Sequence, residues 1–316
     1  MPTDYLSSDK NTLYFIGNGF DLFHGLKTKF IHFYSWLNLE DEEHEQFVMD
    51  MENIFSQSGV HGNLLWTDFE KALGRCDIQN VHTAYAGKED TIIYDTDFQQ
   101  RAGRYVHSVF DKIPIYLKEW AMQIDTKSIK QKLILGKSSQ YLTFNYTHIL
   151  EDVYQIAPSQ IWHVHGDVKG NSPLITGHNN GYHKYYDEIG SDNIRKSYEA
   201  ISEEVQSLYK PVDNIIKMSK DYFCTLNHIN KVIVFGHSLS VIDMPYFKQV
   251  VYNVQDDTRW FFVVHDDNAK NRYTDIVTSL SDLFDFNKTR AVCLGQYQNK
   301  IKAENCKYIN IKDIIL

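Results

Sequence analysis

The chain has 316 residues, too long for a disulfide-stapled mini-protein and long enough to bury a core as two domains or one large interrupted one. Hydrophobic residues make up 43% and charged residues 23%, ordinary globular usage that excludes a disordered chain. With 32 Lys and Arg against 41 Asp and Glu the net charge is -9, the wrong sign for coating nucleic-acid phosphates, so nucleic acid is not an expected partner.

Four cysteines, Cys76, Cys224, Cys293 and Cys306, stand far apart without a C-x-x-C pair and read as reduced thiols. The opening MPTDYLSSDK has neither a basic nor an apolar leader region, and the longest apolar runs, VIVF at Val232 and FFVV at Phe261, are strand-sized. The expectation is a soluble cytoplasmic protein without a membrane partner.

In chain order, TLYFIGNGFD reads as a buried parallel strand, Leu13 to Ile16, delivered into a tight turn at Gly17-Asn18-Gly19. From Lys27 to about Gln131 the pattern is helical, with LWTDFEKAL and YVHSVFDKIPIYLKEWAMQI as amphipathic segments and a break predicted at Pro114. Strand signals return at QYLTFNYT, IWHVHGDV, KVIVFGHSL, RWFFVVHDD and RAVCLG, each short, rich in β-branched and aromatic residues, and ending near Gly, Asn or Asp. Between the third and fourth strands, residues 182–230 are charged and helix-patterned. This predicts an α/β fold with a mostly parallel, doubly wound sheet built from 1–26, 132–181 and 231–316. Helical insertions at 27–131 and 182–230 would form a lid or an interaction surface, including one for homo-oligomer contacts.

In such sheets ligands bind at the carboxyl ends of the strands, and four of those ends carry Gly with Asn, His or Ser. Gly17 and Gly19 suit either a plain tight turn or close approach of backbone N–H groups to a pyrophosphate. Asp21 suits a helix cap or a ribose hydroxyl, and Asn145 either an N-terminal cap shared with Thr147 or an amide holding a water or sugar hydroxyl. In IWHVHGDV the alternation places His163 and His165 on one face, beside the small Gly166, as candidates for general-base chemistry near neutral pH. His178 and His237 would be the further members of a metal site, but no Cys, Asp or Glu falls at ligand spacing, so no metal is expected. In GHSLS, Gly236 permits close approach and Ser238 and Ser240 offer hydroxyls, while the missing second glycine speaks against a serine-hydrolase elbow.

Taken in order, IGNGFDLFHGLKTKF, LWTDFEKAL, FNYTHILE, HVHGDV with GHN at Gly177, and FGHSLSVIDMPYF resemble the bacteriophage abortive infection AbiH family. More remotely, the chain is similar to sirtuin-like (SIR2-like) NAD-binding domains. The spacing of Gly17, Gly19 and Gly25 repeats the sirtuin glycine turn, Thr143-Phe144-Asn145-Tyr146-Thr147 resembles its T-x-N-Y-D, His165-Gly166 its H-G pair, and Gly236-His237-Ser238-Leu239 its G-x-S-L.

The resemblance implies a Rossmann-like (SIR2-like) sheet that takes NAD as substrate or ligand. Asn145 and His165 would be catalytic, and Gly17, Asn18, Gly19, Phe20, Asp21, Gly25, Thr143, His163, Gly166, Gly236, Ser238 and Asp243 would line the nucleotide. The implied activity is cleavage of the nicotinamide–ribose bond in phage defence, released by a phage-derived activator. The alternative is a non-catalytic sensor of NAD or ADP-ribose. Three residues depart from the sirtuin-like pattern: Asn18 and Asp21 in the glycine turn, and Thr147 where that pattern has Asp. The two C-x-x-C pairs of the deacylase zinc module are missing from the sequence, which speaks against protein deacylation.

Overall fold

The computed structural model describes residues 10–56, 62–86, 96–179, 192–282 and 301–315. It divides into two compact units. The first comprises residues 1–27, 124–168 and 211–316, and the second residues 28–123 and 169–210.

The first unit is built on a six-stranded, all-parallel sheet in the order β3-β2-β1-β4-β5-β6. Its strands are β1 Thr12–Ile16, β2 Gln140–Thr143, β3 Ile161–His163, β4 Lys231–Phe235, β5 Arg259–Val264 and β6 Cys306–Asn310. β1 and β4 lie side by side in the middle and every residue of both is buried, so their sequences TLYFI and KVIVF are apolar on both faces instead of alternating. Successive residues of β1 feed opposite cores. Leu13 and Phe15 join one with Val232, Val234, Phe247 and Phe262, whereas Tyr14 and Ile16 join the other with Phe20, Tyr141, Ile149 and Phe261.

Four of the five later strands expected from sequence are present, while RAVCLG lies outside the described residues. The sequence reading lacked β6; its segment CKYIN is half-exposed at the sheet edge and carries little apolar signal. IWHVHGDV yields only three ladder residues, because β3 is the opposite edge and the chain turns away through Gly166 at φ +79°.

The division of the chain also differs from the sequence expectation of insertions at 27–131 and 182–230. Residues 211–230 fold with the sheet because Val212, Ile216, Phe223, Leu226 and Ile229 are buried in its core, while 169–181 leave it. Cys224 is disulfide-bonded, which corrects the expectation of four reduced thiols; Cys76 and Cys306 are free.

The second unit is helical, with Phe33, Trp66 and Phe69 buried and the last two rings stacked at 5.3 Å. LWTDFEKAL forms two short helices, Asn63–Thr67 and Phe69–Leu73. The predicted break falls at Asp111, so that Pro114 sits in the first turn of Lys112–Met122, where a missing N–H costs nothing. Lys210, with its side chain fully buried, pairs with Glu70 at 2.9 Å. His178 also belongs to this unit: its Nε2 donates to the Val205 carbonyl at 3.0 Å, and its main chain bridges to Tyr209 beside Gly177.

In the first unit the carboxyl ends of β1 and β4 touch backbone to backbone. The Gly17 amide donates to the Phe235 carbonyl at 3.0 Å and the Gly19 amide to the Gly236 carbonyl at 2.8 Å. A Cβ on Gly17 would stand 2.4 Å from His237 Cα, and one on Gly236, at φ +67°, 2.3 Å from the Phe20 nitrogen. These distances forbid any side chain. Gly236→Ala is therefore expected to cost about 3 kcal/mol or more in chemical denaturation, through clash and positive φ together. A loss under about 1 kcal/mol would show that the two turns separate easily.

Candidate functional site at the strand ends

The glycine turn leads directly into the helix Asn18–Phe23, so Asp21 falls in the middle of a helix and does not cap it; the cap position is Gly17. Asp21 is buried, and its carboxylate receives two short hydrogen bonds, from Asn145 Nδ2 at 2.7 Å to Oδ1 and from the Thr147 hydroxyl at 2.7 Å to Oδ2. Neither Asn145 nor Thr147 is a cap either, since the helix after β2 begins only at Ile149, behind His148. The capping expectations for all three residues thus give way to one buried carboxylate–amide–hydroxyl cluster. Asp21 and Thr147, two of the positions at which the chain departs from the sirtuin-like pattern, are joined in it by a hydrogen bond.

Asn145 Nδ2 also donates to the Gly17 carbonyl at 3.2 Å, and the Asn145 amide N–H to the Thr143 hydroxyl at 3.2 Å. The amide group is thereby held in one orientation. Its Oδ1 is buried and makes no hydrogen bond to any described residue.

From the end of β4 come His237 and Asp243. The Leu239 N–H donates to His237 Nδ1 at 2.9 Å, in a turn tight enough to hold Leu239 at φ +51°, so the proton of this ring is on Nε2, which faces Asp243 Oδ2 at 3.8 Å. His165 Nε2 lies 3.5 Å from the other oxygen, Oδ1. Asp243, expected from sequence as a nucleotide contact, stands between two buried histidines, with Phe144 edge-on to both rings.

His163 and His165 do not act as a pair on one face, because the strand stops at His163. The Nδ1–H of His163 donates to the Asn145 carbonyl at 2.9 Å and its Nε2 faces Glu151 Oε1 at 3.0 Å. His148 stacks on it at 5.3 Å, with Nε2 2.6 Å from Asp167 Oδ1 and Nδ1 3.4 Å from Glu151 Oε1. The sequence reading passed over His148, Glu151 and Asp167; the signal available was the i, i+3 spacing of His148 and Glu151 after a strand end. Burial opposes charge on His163, but the Glu151 carboxylate outweighs it and, with the Asn145 carbonyl and Asp167, holds the His163 pKa above the ordinary histidine value.

The amides of Gly17 and Gly19 are taken by main-chain carbonyls of the neighbouring strand end, so these glycines serve the joint between β1 and β4 and do not present N–H groups to an anion. Phe20 is wholly buried in the core, Gly25 at φ +89° follows the helix end at His24, and Asn18 and Ser238 are exposed.

The fold and these residues define a class: a doubly wound α/β protein whose strand ends combine a fixed amide, buried histidines and buried carboxylates. The family model for bacteriophage abortive infection AbiH matches residues 13–264, and the chain belongs to that family, which carries a role in abortive infection by phage. No curated protein matches the chain. No helix among the described residues is long and apolar enough to cross a membrane.

Burial pushes the Asp21 carboxyl up to about 7, against the hydrogen bonds from Thr147 and Asn145 and the field of His163, which favour ionisation. Between about pH 4 and pH 7 the folded state then holds a proton that the unfolded state has lost, so stability falls as pH rises through that window. Asp21→Asn keeps an acceptor oxygen and carries no charge. Its stability relative to the parent should rise across the window, by at most about 1.4 kcal/mol per pH unit. Denaturation curves at pH 4.5, 6 and 8 test this, and a constant difference between the two proteins would refute it.

Proposed function

We propose that the strand-end site binds NAD and hydrolyses its nicotinamide–ribose bond, making the chain a phage-defence effector that depletes a nucleotide. The observation that carries this reading is Asn145: an amide locked by two hydrogen bonds, with a buried acceptor oxygen that the described residues leave unsatisfied. Such an oxygen costs about 1–3 kcal/mol unless a ligand or water donates to it. A ribose hydroxyl or the attacking water is a suitable donor.

His165 backed by Asp243 supplies the base. In the reaction, water adds to the anomeric carbon, nicotinamide departs with the electrons of the glycosidic bond, and the water proton passes to the imidazole, giving ADP-ribose, nicotinamide and a proton. Because the leaving group is a pyridinium it needs no acid, and the site's task is to orient water toward an oxocarbenium-like centre. Supporting the choice of a dinucleotide is the strand order, which reverses between β1 and β4.

The test is nicotinamide release from NAD, followed chromatographically with purified protein alone and with lysate of phage-infected cells. The parent should turn NAD over, and His165→Ala and Asn145→Ala should each lower the rate by about a hundredfold or more while the chain stays folded. Calorimetric binding without turnover would favour a nucleotide sensor instead, and no binding at all would overturn both readings.

A further inference from the structure

Glu151, His148 and His163 form a second constellation that the hydrolytic chemistry does not use. Each imidazole has its outer nitrogen committed to an oxygen acceptor, His163 Nδ1 to the Asn145 carbonyl at 2.9 Å and His148 Nε2 to the Asp167 carboxylate at 2.6 Å. Carbonyls and carboxylates only accept, so each ring keeps a proton on its outer atom. The inner nitrogens, His163 Nε2 and His148 Nδ1, face the same oxygen, Glu151 Oε1, at 3.0 and 3.4 Å, and without a metal a proton on His163 Nε2 bridges to that oxygen as a hydrogen bond. Three possible ligand atoms lie within 4.8 Å of one another, an arrangement in which one metal ion can take the place of the bridging proton.

The geometry points to a site for a divalent transition metal of the zinc class, held by His148 Nδ1, Glu151 Oε1 and His163 Nε2, with at least one position open to water. Ligand atoms at zinc distances of 2.0–2.1 Å in a tetrahedron stand about 3.3 Å apart, close to the two spacings observed to Oε1. Two imidazoles and one carboxylate favour zinc and its neighbours over magnesium or calcium, which take oxygen ligands. Both histidines already have the outer hydrogen bonds that fix tautomer and ring angle in metal sites. The three ligands are 10–13% exposed, so the cluster is largely shielded while a path to solvent remains. Its ligands are His148 in the turn after β2, Glu151 in the helix Ile149–Asp152 and His163 at the end of β3, and the assignment is independent of the nucleotide reading.

The experiment uses the full chain, stripped with chelator and titrated with Zn2+ alone by calorimetry and with Co2+ by visible absorption. One ion per chain is expected, with Co2+ bands of a four- or five-coordinate nitrogen and oxygen site and a rise in Tm that chelator reverses. Glu151→Gln and His148→Ala should weaken binding at least about tenfold. His107→Ala should leave it unchanged; this exposed histidine beside Asp111 and Glu204 is the control for adventitious metal. If a ligand variant fails to fold, ring 15N NMR of the parent decides: zinc should shift the inner nitrogens of His148 and His163 and leave the outer ones protonated. A parent that takes up no stoichiometric zinc, rings that stay doubly protonated at saturating zinc, or binding lost in the His107 variant instead of the ligand variants would overturn the assignment.

Discussion

The strand-end site depends on the ability of two stretches of main chain to touch. β1 and β4 are neighbours in the middle of the sheet, yet one is followed by Gly17-Asn18-Gly19 and the other by Gly236-His237, and both turns must leave the sheet at the same height. Hydrogen bonds from Gly17 to Phe235 and from Gly19 to Gly236 close the gap, and a single methyl group on Gly17, Gly19 or Gly236 would reopen it. With the joint closed, Asp21 sits against Asn145 and Thr147 in the turn that follows β2, while His237 is fixed one residue beyond Gly236, against Asp243. The glycines therefore act on the chemistry through distance, by setting how closely groups from different strands approach.

The strands that were legible in the sequence are those buried on both faces. TLYFI, QYLT, KVIVF and RWFFVV have little choice but to be interior strands of a parallel sheet, since a continuous apolar run of that length leaves no polar face for solvent. The edges were less legible: at β3 the ladder ends after three residues, and at β6 exposure lets Lys and Asn into the strand. The same logic explains residues 211–230, whose charges suggested an insertion although Val212, Ile216 and Phe223, at helical spacing, turn to the sheet.

Local rules misled most at the site itself. Asp21, Asn145 and Thr147 are residue types that cap helices, and their neighbours in sequence begin helices, but all three satisfy one another across two strand ends. A cap is a contact within a few residues, and nothing local announces that an amide will instead find a carboxylate more than a hundred positions away. The histidines show the converse: His165 and His163, two residues apart, belong to different networks because the alternation that would align them stops with the strand.

The position of β1 also bears on how the chain reaches this state. Its two partners begin at Gln140 and Lys231, so β1 gains its second neighbour only when Lys231 has been made, and residues 28–123 of the helical unit lie within both intervals. Closing loops of that length costs conformational entropy before any ladder bond repays it, which places the chain among slow, high-contact-order folders. During synthesis TLYFI leaves the ribosome as an apolar strand with two open edges, one of which stays open until residue 235 has emerged. That interval is when the nascent chain is most exposed to misassociation and a chaperone has most to cover.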